Sequence, residues 1–263
     1  MPYSSTGKSF IADLFLGRLE NPQFQKGRID AKMWLYLIGA VMLALNTLSF
    51  VAYHYLQFGE EASWGIFLAA GLLFYFILDY LTFEEVHLYT YDLFAERVGF
   101  KLGWGCLTFY PFFYTIPLWA TVHLPNPNTP IWQLVVFAFI FFIGWTFARG
   151  ANMQKFYFKT QPQKAFLGIQ PATISDGQKT LLVNGFWGVS RHVNYLGEIL
   201  MATGIALSVG YHLLPWPWLY PLYYVALLFP RQLDDDKRCA LKYGTLWKEY
   251  TTKVKYRIIP FIY

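Results

Sequence analysis

LLVNGFWGVSRHVNYLGE, residues 181–198, gathers Trp187, Arg191, His192, Asn194, Tyr195 and Glu198 into twelve positions and ends where a membrane-length apolar segment begins. An arginine, a histidine and an amide at the mouth of a hydrocarbon-facing helix are costly unless protein or ligand groups satisfy them. The stretch therefore reads as a binding site at the edge of a lipid-embedded helical protein. A snorkelling basic flank of a transmembrane helix accounts for Arg191 alone. It accounts poorly for the cluster as a whole.

Composition fixes the solvent. The chain is 56% hydrophobic, 21% aromatic and only 14% charged, whereas charged residues make up about a quarter of an ordinary soluble domain. Its 263 residues read as a single all-α membrane domain, 1–263, without repeats or low-complexity tracts. Cys106 and Cys239 are far apart and lie in or beside bilayer or cytosolic segments, so both are expected to be reduced. Residues 1–33 are polar and mixed in charge, so no cleavable signal peptide is expected and they read as a cytosolic segment.

Six transmembrane helices are expected between residues 34 and 229. The first runs from Trp34 to Tyr55 and the second from Trp64 to Leu81, each near the length that crosses hydrocarbon as a helix. The third, Trp104–Leu124, contains Pro111 and Pro117 and should be kinked or broken, with its freed carbonyls facing protein or a cavity. The fourth spans Ile131–Ala148, the fifth Tyr195–Leu213, and a short, Pro-flanked sixth Leu219–Phe229. Two polar segments remain, 149–194 and 230–263. With a cytosolic amino terminus, the outward connections are 56–63, 125–130 and 214–218. None contains Lys or Arg, so all 21 basic residues fall on the inward side and both termini are cytosolic.

The net charge of +5 thus needs no nucleic acid; anionic headgroups and an anionic soluble ligand are the economical partners. The inward face concentrates Lys155, Lys159, Arg191, Arg231, Lys242 and Lys248 with Trp187, Tyr195, Tyr243 and Tyr250. That mixture suits phosphates and a stacking ring, as in a dinucleotide with an extra phosphate. No G-x-G-x-x-G follows a strand, since Gly103 and Gly105 supply half the pattern on a helix, and the Rossmann solution is excluded. The five histidines have neither H-E-x-x-H spacing nor paired cysteines, so no metal is expected.

Three separated blocks carry a resemblance. ANMQKFYFK (151–159), the 181–198 stretch and RQLDDDKRCALKYGTLWKEYTTKVKYRIIPFIY (231–263) resemble the carboxy-terminal half of the sterol reductase family, which includes the carbon-14, carbon-7 and carbon-24(28) reductases and the lamin B receptor. Upstream, FLGRLENPQF (15–24), Asp30-Ala31-Lys32, YDLFAERVGFKLGWG (91–105) and PFFYT (111–115) resemble further family elements in the same order. The resemblance implies an all-helical membrane enzyme that reduces a sterol double bond with NADPH. By motif it places Lys155 and Lys159 on the phosphates, Leu182 and Trp187 beside the nicotinamide, and Asn194 and Tyr195 at the start of the fifth span. Arg231, Asp235, Cys239, Lys242, Tyr243 and Tyr250 join them from the tail; Arg191 and His192 are added to the candidate cofactor site from the residue cluster itself, not from the resemblance. Lys159 stands where the family has arginine, Val193 for proline and Glu198 for aspartate; Pro230 and Gln232 replace histidine and glutamate. Set against the family, this stretch is expected to correspond to a form without the first few spans, whose sterol pocket would come from six spans or from homo-oligomerisation. The substrate arrives from the bilayer, in the endoplasmic reticulum of a eukaryote or the inner membrane of a bacterium.

Hydride does not attack an isolated olefin, so a proton donor must act first, from a group kept protonated by burial. Tyr114, between Pro111 and Pro117, is the favoured donor; Glu96, Asp92 and Glu198 are the other candidates. For Tyr114 an ordinary interfacial tyrosine is the competing reading. Glu96 could instead pair with Arg97 or Lys101, and Asp92 could start a helix. Two rival functions are weighed. A small S-adenosylmethionine-dependent membrane methyltransferase shares a similar R-H-P-x-Y-x-G turn but has no use for the lysine element at 154–159. A non-catalytic sterol-binding protein would not need the intact basic and aromatic set.

Overall fold

A computed structural model describes residues 9–90 and 96–263. A short helix, α1 (Phe10–Leu16), starts on Ser9, whose hydroxyl accepts the Ala12 N–H at 3.2 Å. An antiparallel ribbon follows, β1 (Gln23–Phe24) with β2 (Ile29–Asp30), paired Gln23 to Asp30 and Phe24 to Ile29. Asp30 then caps α2 (Ala31–Phe58): one carboxylate oxygen accepts the N–H groups of Lys32 (2.9 Å) and Met33 (3.1 Å). Such a cap satisfies donors that a helix start otherwise leaves bare.

The two faces of α2 identify its surroundings. Ala40, Leu43, Thr47 and His54 are buried at helical spacing, whereas Trp34, Leu37, Val41, Leu45 and Leu48 form an exposed apolar stripe, each about half accessible. In water such a stripe would demand a partner; in a bilayer the acyl chains cover it. α3 (Trp64–Thr82) packs on the inner face, and Ala40, Leu43 and Ile77 form a core flanked by Phe76, Tyr110 and Tyr114. A short α4 (Glu84–His87) follows. α2, α3 and a later helix, α8, are long and apolar enough to cross a membrane among the described residues.

The expected third span is broken into α5 (Phe100–Trp104), a π-helical turn (Gly105–Phe109), α6 (Tyr110–Phe113) and α7 (Ile116–Trp119). Side chains take up the carbonyls this interruption frees, as the absence of water in hydrocarbon requires. Asn46 donates to the Pro111 carbonyl (3.0 Å), Thr115 to Phe112 (2.7 Å) and Thr121 to Pro117 (2.6 Å). His54 ties the ends together: Nδ1 lies 2.7 Å from the Val122 carbonyl and Nε2 accepts the Ser63 N–H at 2.9 Å. That pattern fixes the neutral tautomer protonated on Nδ1.

α8 (Ile131–Thr160) does not stop at Ala148 but continues for three further turns, so Lys155 and Lys159 are helical rather than part of a polar connection. Nothing between Arg149 and Thr160 breaks a helix apart from Gly150; the charges mark the end of the apolar stretch, not of the hydrogen bonding. A hairpin, β3 (Thr173–Ser175) and β4 (Thr180–Leu182), a one-turn α9 (Phe186–Val189), α10 (Val193–Ser208), α11 (Pro215–Tyr243) and α12 (Thr245–Lys253) complete the chain. The fold is therefore mostly helical but not purely so. α10 is apolar but only 16 residues long. The expected sixth span is the first half of α11, which runs through Pro221 and Pro230 instead of ending at Phe229; each proline removes one backbone bond without ending the helix.

The chain divides into two compact units, Met1–Leu134 with Ile205–Tyr220, and Val135–Gly204 with Pro221–Tyr263. In the second, α8 crosses α10 on glycine. A Cβ on Gly144 would lie 2.6 Å from the Gly197 carbonyl oxygen, and one on Gly197 would lie 2.5 Å from that of Gly144. Lipid tails are as apolar as leucine, so small residues that let backbones touch are what hold such helices together.

Candidate functional site

The second unit gathers the expected cofactor-binding residues. Lys155 and Lys159 are four residues apart on α8 and share a face. Asp235, Cys239 and Lys242 share a face of α11 at similar spacing. The two faces meet: Asp235, Cys239, Lys159 and Lys242 all act electrostatically on Lys155, and Lys242 acts on Lys159. Three lysines thus converge with one carboxylate among them. Lys155 Nζ also lies 5.8 Å from the centre of the Trp187 ring, and Lys242 Nζ lies 5.2 Å from that of Tyr243, both within cation–π range.

Trp187 is held from two sides: its indole N–H donates to the Ala151 carbonyl (2.8 Å), and its own carbonyl accepts the Tyr250 hydroxyl (3.0 Å). The turn before it depends on Gln154, which accepts the Phe186 N–H at 3.0 Å and donates to the Asn184 carbonyl at 3.3 Å. Gly185 sits at φ +64°, where a Cβ would lie 2.1 Å from the Gln154 amide nitrogen, so only glycine fits. The Asn184 side chain bonds Ala172 N–H (3.0 Å) and the Gln170 carbonyl (2.8 Å), fixing the hairpin's root. Ile174 of β3 packs with Leu246, Tyr250 and Val254 beneath Tyr243 and Trp247, and Leu182 ends β4 as a buried residue. Lys179, beyond the hairpin's turn, donates to the Lys242 carbonyl at the end of α11.

The rest of the cluster bonds chiefly to protein. Arg191 donates to the carbonyls of Val254 (3.2 Å) and Lys255 (3.3 Å) and meets Asp236 at 3.4 Å. His192 lies 3.9 Å from Asp235 and 3.6 Å from Asp236, and its ring stacks on Tyr195 at 5.1 Å. The Tyr195 hydroxyl donates to Asp235 at 2.5 Å. Asn194 reaches Asn152 at 3.5 Å, the limit of a hydrogen bond, and its own amide oxygen is buried without a hydrogen-bond partner among the described residues. Arg231 is half-buried on α11. Sequence reasoning passed over Asp236, Gln232, Arg257 and Tyr263, which complete this network, and Gln154 and Asn184, which shape the turn.

Burial, reinforced by Asp235, pushes the Cys239 thiol up to about 11, so it is protonated and unreactive at neutral pH. Burial likewise raises the Tyr250 phenol. For Asp236 burial works upward, but His192, Arg191 and Arg257 outweigh it and hold the carboxyl below its usual range.

Of the expected proton donors, Tyr114 and Glu96 belong to the first unit, whereas Glu198 is half-buried on α10 in the second. Tyr114 is half-buried among aromatic rings, at 4.7 Å from Tyr110, 4.9 Å from Tyr220 and 6.1 Å from Phe76. Glu96 is held by Lys101 through contacts of 2.7 and 3.0 Å, and Arg97 pairs with Glu20 at 3.1 Å. Asp92 lies outside the described residues.

The chain matches the model of the Ergosterol biosynthesis ERG4/ERG24 family over residues 2–263. It is 37% identical to a Delta(14)-sterol reductase of Arabidopsis thaliana, over 97% of this chain and 67% of the plant protein. Identity to a Delta(14)-sterol reductase of Methylotuvimicrobium alcaliphilum is 33%, over 98% of this chain and 60% of that protein. Identity to the Delta(14)-sterol reductase TM7SF2 of Mus musculus is 36%, over 100% of this chain and 62% of the mouse protein. The chain thus spans 60–67% of the length of these relatives.

Proposed function

Since the chain belongs to the Ergosterol biosynthesis ERG4/ERG24 family, we propose that it is an integral membrane oxidoreductase that reduces a carbon–carbon double bond of a sterol, with NADPH as the reductant. The relatives' names favour the double bond at carbon 14. The observation that carries the cofactor assignment is the convergence of Lys155, Lys159 and Lys242 beside Trp187, with Asp235 the carboxylate among them. Three clustered ammonium groups repel one another and are stabilised by a polyanion. A dinucleotide bearing an extra phosphate supplies one, together with a flat ring for the aromatic wall. S-adenosylmethionine carries no phosphate, and the same lysines have no purpose in a methyltransferase.

In this reading the three lysines take the phosphates, while Leu182 and Trp187 line the ring. The buried amide oxygen of Asn194 is an acceptor awaiting a donor. Tyr195, locked to Asp235, fixes the wall beside Lys155. When bound, NADPH supplies a hydride. The matching proton comes from an acid held away from bulk water, and Tyr114, packed against the Tyr110 and Tyr220 rings beside the break between α6 and α7, takes this role. Glu96 is already engaged by Lys101.

The test is incubation of the purified chain and NADPH with sterols unsaturated at carbon 7, 14 or 24, analysed by mass spectrometry. The expected outcome is gain of two mass units by the carbon-14 olefin alone. Tyr114→Phe should lower that turnover at unchanged cofactor affinity. No NADPH consumption with any sterol, or binding of S-adenosylmethionine in its place, would overturn the assignment.

A further inference from the structure

One residue of the second unit joins three chain segments. The 190–192 turn is zipped to the carboxy-terminal tail: Arg191 N–H donates to the Tyr256 carbonyl (2.9 Å), His192 N–H to that of Arg257 (2.8 Å), and the Ser190 hydroxyl to that of Ile258 (3.0 Å). Asp236 on α11 meets both sides of this zipper. It lies 3.4 Å from Arg191 of the turn, 3.8 Å from Arg257 of the tail, and 2.7 Å from the Gln232 amide one turn earlier on its own helix. Arg257 and Gln232 are further joined through the Tyr263 hydroxyl, at 3.1 and 3.3 Å. The neighbouring aspartates look elsewhere: Asp234 pairs with exposed Arg238 at 2.6 Å, and Asp235 binds Tyr195 and acts on Lys155.

We propose that Asp236 is a positioning residue for the cofactor site: by clamping the Arg191-His192 turn and the tail onto α11, it sets the helix phase that turns Asp235, Cys239 and Lys242 toward Lys155. The proposal rests on the NADPH reading of that site. Asp236 does not belong to the lysine cluster, so its effect on binding is transmitted through Asp235 and Tyr195. Removing its charge leaves two buried or half-buried arginines facing a neutral amide, and the turn and the tail are loosened from α11.

The experiment compares wild type, Asp236→Asn and Asp236→Glu in detergent by hydrogen exchange and NADPH binding. Asp236→Asn should speed exchange of the 191 and 192 amides at least tenfold and weaken NADPH about tenfold, the loss of one charged hydrogen bond. kcat at saturating NADPH should stay within about twofold, because no group touching the reacting atoms has changed. Asp236→Glu should recover both readouts. If Asp236→Asn fails to fold, Arg257→Gln, which opens the tail side alone, should raise the KM for NADPH with kcat again unchanged. Unaltered exchange, or faster exchange with unaltered NADPH affinity, overturns the proposal. A wild-type chain that does not bind NADPH would overturn the functional reading instead, and the positioning role with it, while exchange would still decide whether the clamp exists.

Discussion

Lys155 separates the phosphate reading from any generic role for positive charge. It sits where Lys159, Lys242, Asp235 and Cys239 all act on it, over the Trp187 ring. Replacing it with alanine removes one charged donor, worth roughly 10–100-fold in affinity for a phosphate. Lys155→Ala should therefore weaken NADPH by about that factor and NADH distinctly less, because only the former carries the extra phosphate; titration of both nucleotides against both proteins checks it. Equal losses would return Lys155 to a structural role. The lysines were legible in the sequence because basic residues spaced by four among aromatics at a membrane edge have few other uses. Asp236 was not. Asp234-Asp235-Asp236 presents three equivalent carboxylates, and only the phase of α11 assigns one to solvent, one to Tyr195 and one to Arg191. Arg191 and His192 stood out for the same reason that the structure ties them to the tail: buried polar groups need partners, and the tail provides most of them.

At the scale of the element, the broken third segment shows what sequence can and cannot convey. Pro111 and Pro117 announce the interruption. The π-helical turn before them has no such signal, because it answers to a contact from α2. A Cβ on Gly39 would lie 2.4 Å from the Cys106 carbonyl oxygen and 2.8 Å from the Tyr110 ring. Gly39→Ala should force the two elements apart and cost about 1–3 kcal/mol, the range for overpacking. Gly71→Ala is the matched control, since nothing lies within 4 Å of its Cβ; replacing glycine within a helix there should be neutral or stabilising by up to about 1 kcal/mol. Thermal unfolding of both variants in detergent checks the pair, and equal midpoints would count against a tight α2 contact. The 173–182 hairpin did carry a signal that the polar composition of its surroundings obscured. Asp176-Gly177 lies in the turn, with Gly177 at φ +88° and the Asp176 carboxylate accepting the N–H groups of Gln178 (3.0 Å) and Lys179 (2.7 Å).

For the whole molecule the open physical question is how many times the chain crosses the bilayer, because parity decides which side the cofactor site faces. If α2, α3 and α8 alone crossed, the chain beyond Thr160, with eleven of its 21 basic residues, would lie opposite the amino terminus, against the positive-inside rule. Six crossings keep every Lys and Arg on one side. They require the broken 100–124 segment, α10 and the first half of α11 to cross as well. The 25 residues from Phe100 to Leu124 reach about 37 Å at helical rise, enough for a core about 30 Å thick even with some loss at the breaks. α10, at 16 residues, reaches only about 24 Å and needs local thinning of the bilayer or burial against neighbours. Single cysteines at the connections decide between the two topologies, because the buried Cys106 and the half-buried Cys239, whose thiol pKa is pushed up to about 11, give little background. With six crossings, an impermeant maleimide applied from the outside labels Asn128→Cys, while Lys164→Cys and Lys248→Cys react only after permeabilisation. With three the pattern inverts: Asn128→Cys is protected, Lys164→Cys and Lys248→Cys are labelled from outside, and the lysine cluster faces away from cytosolic nucleotide. The proposed reductase therefore requires the first pattern.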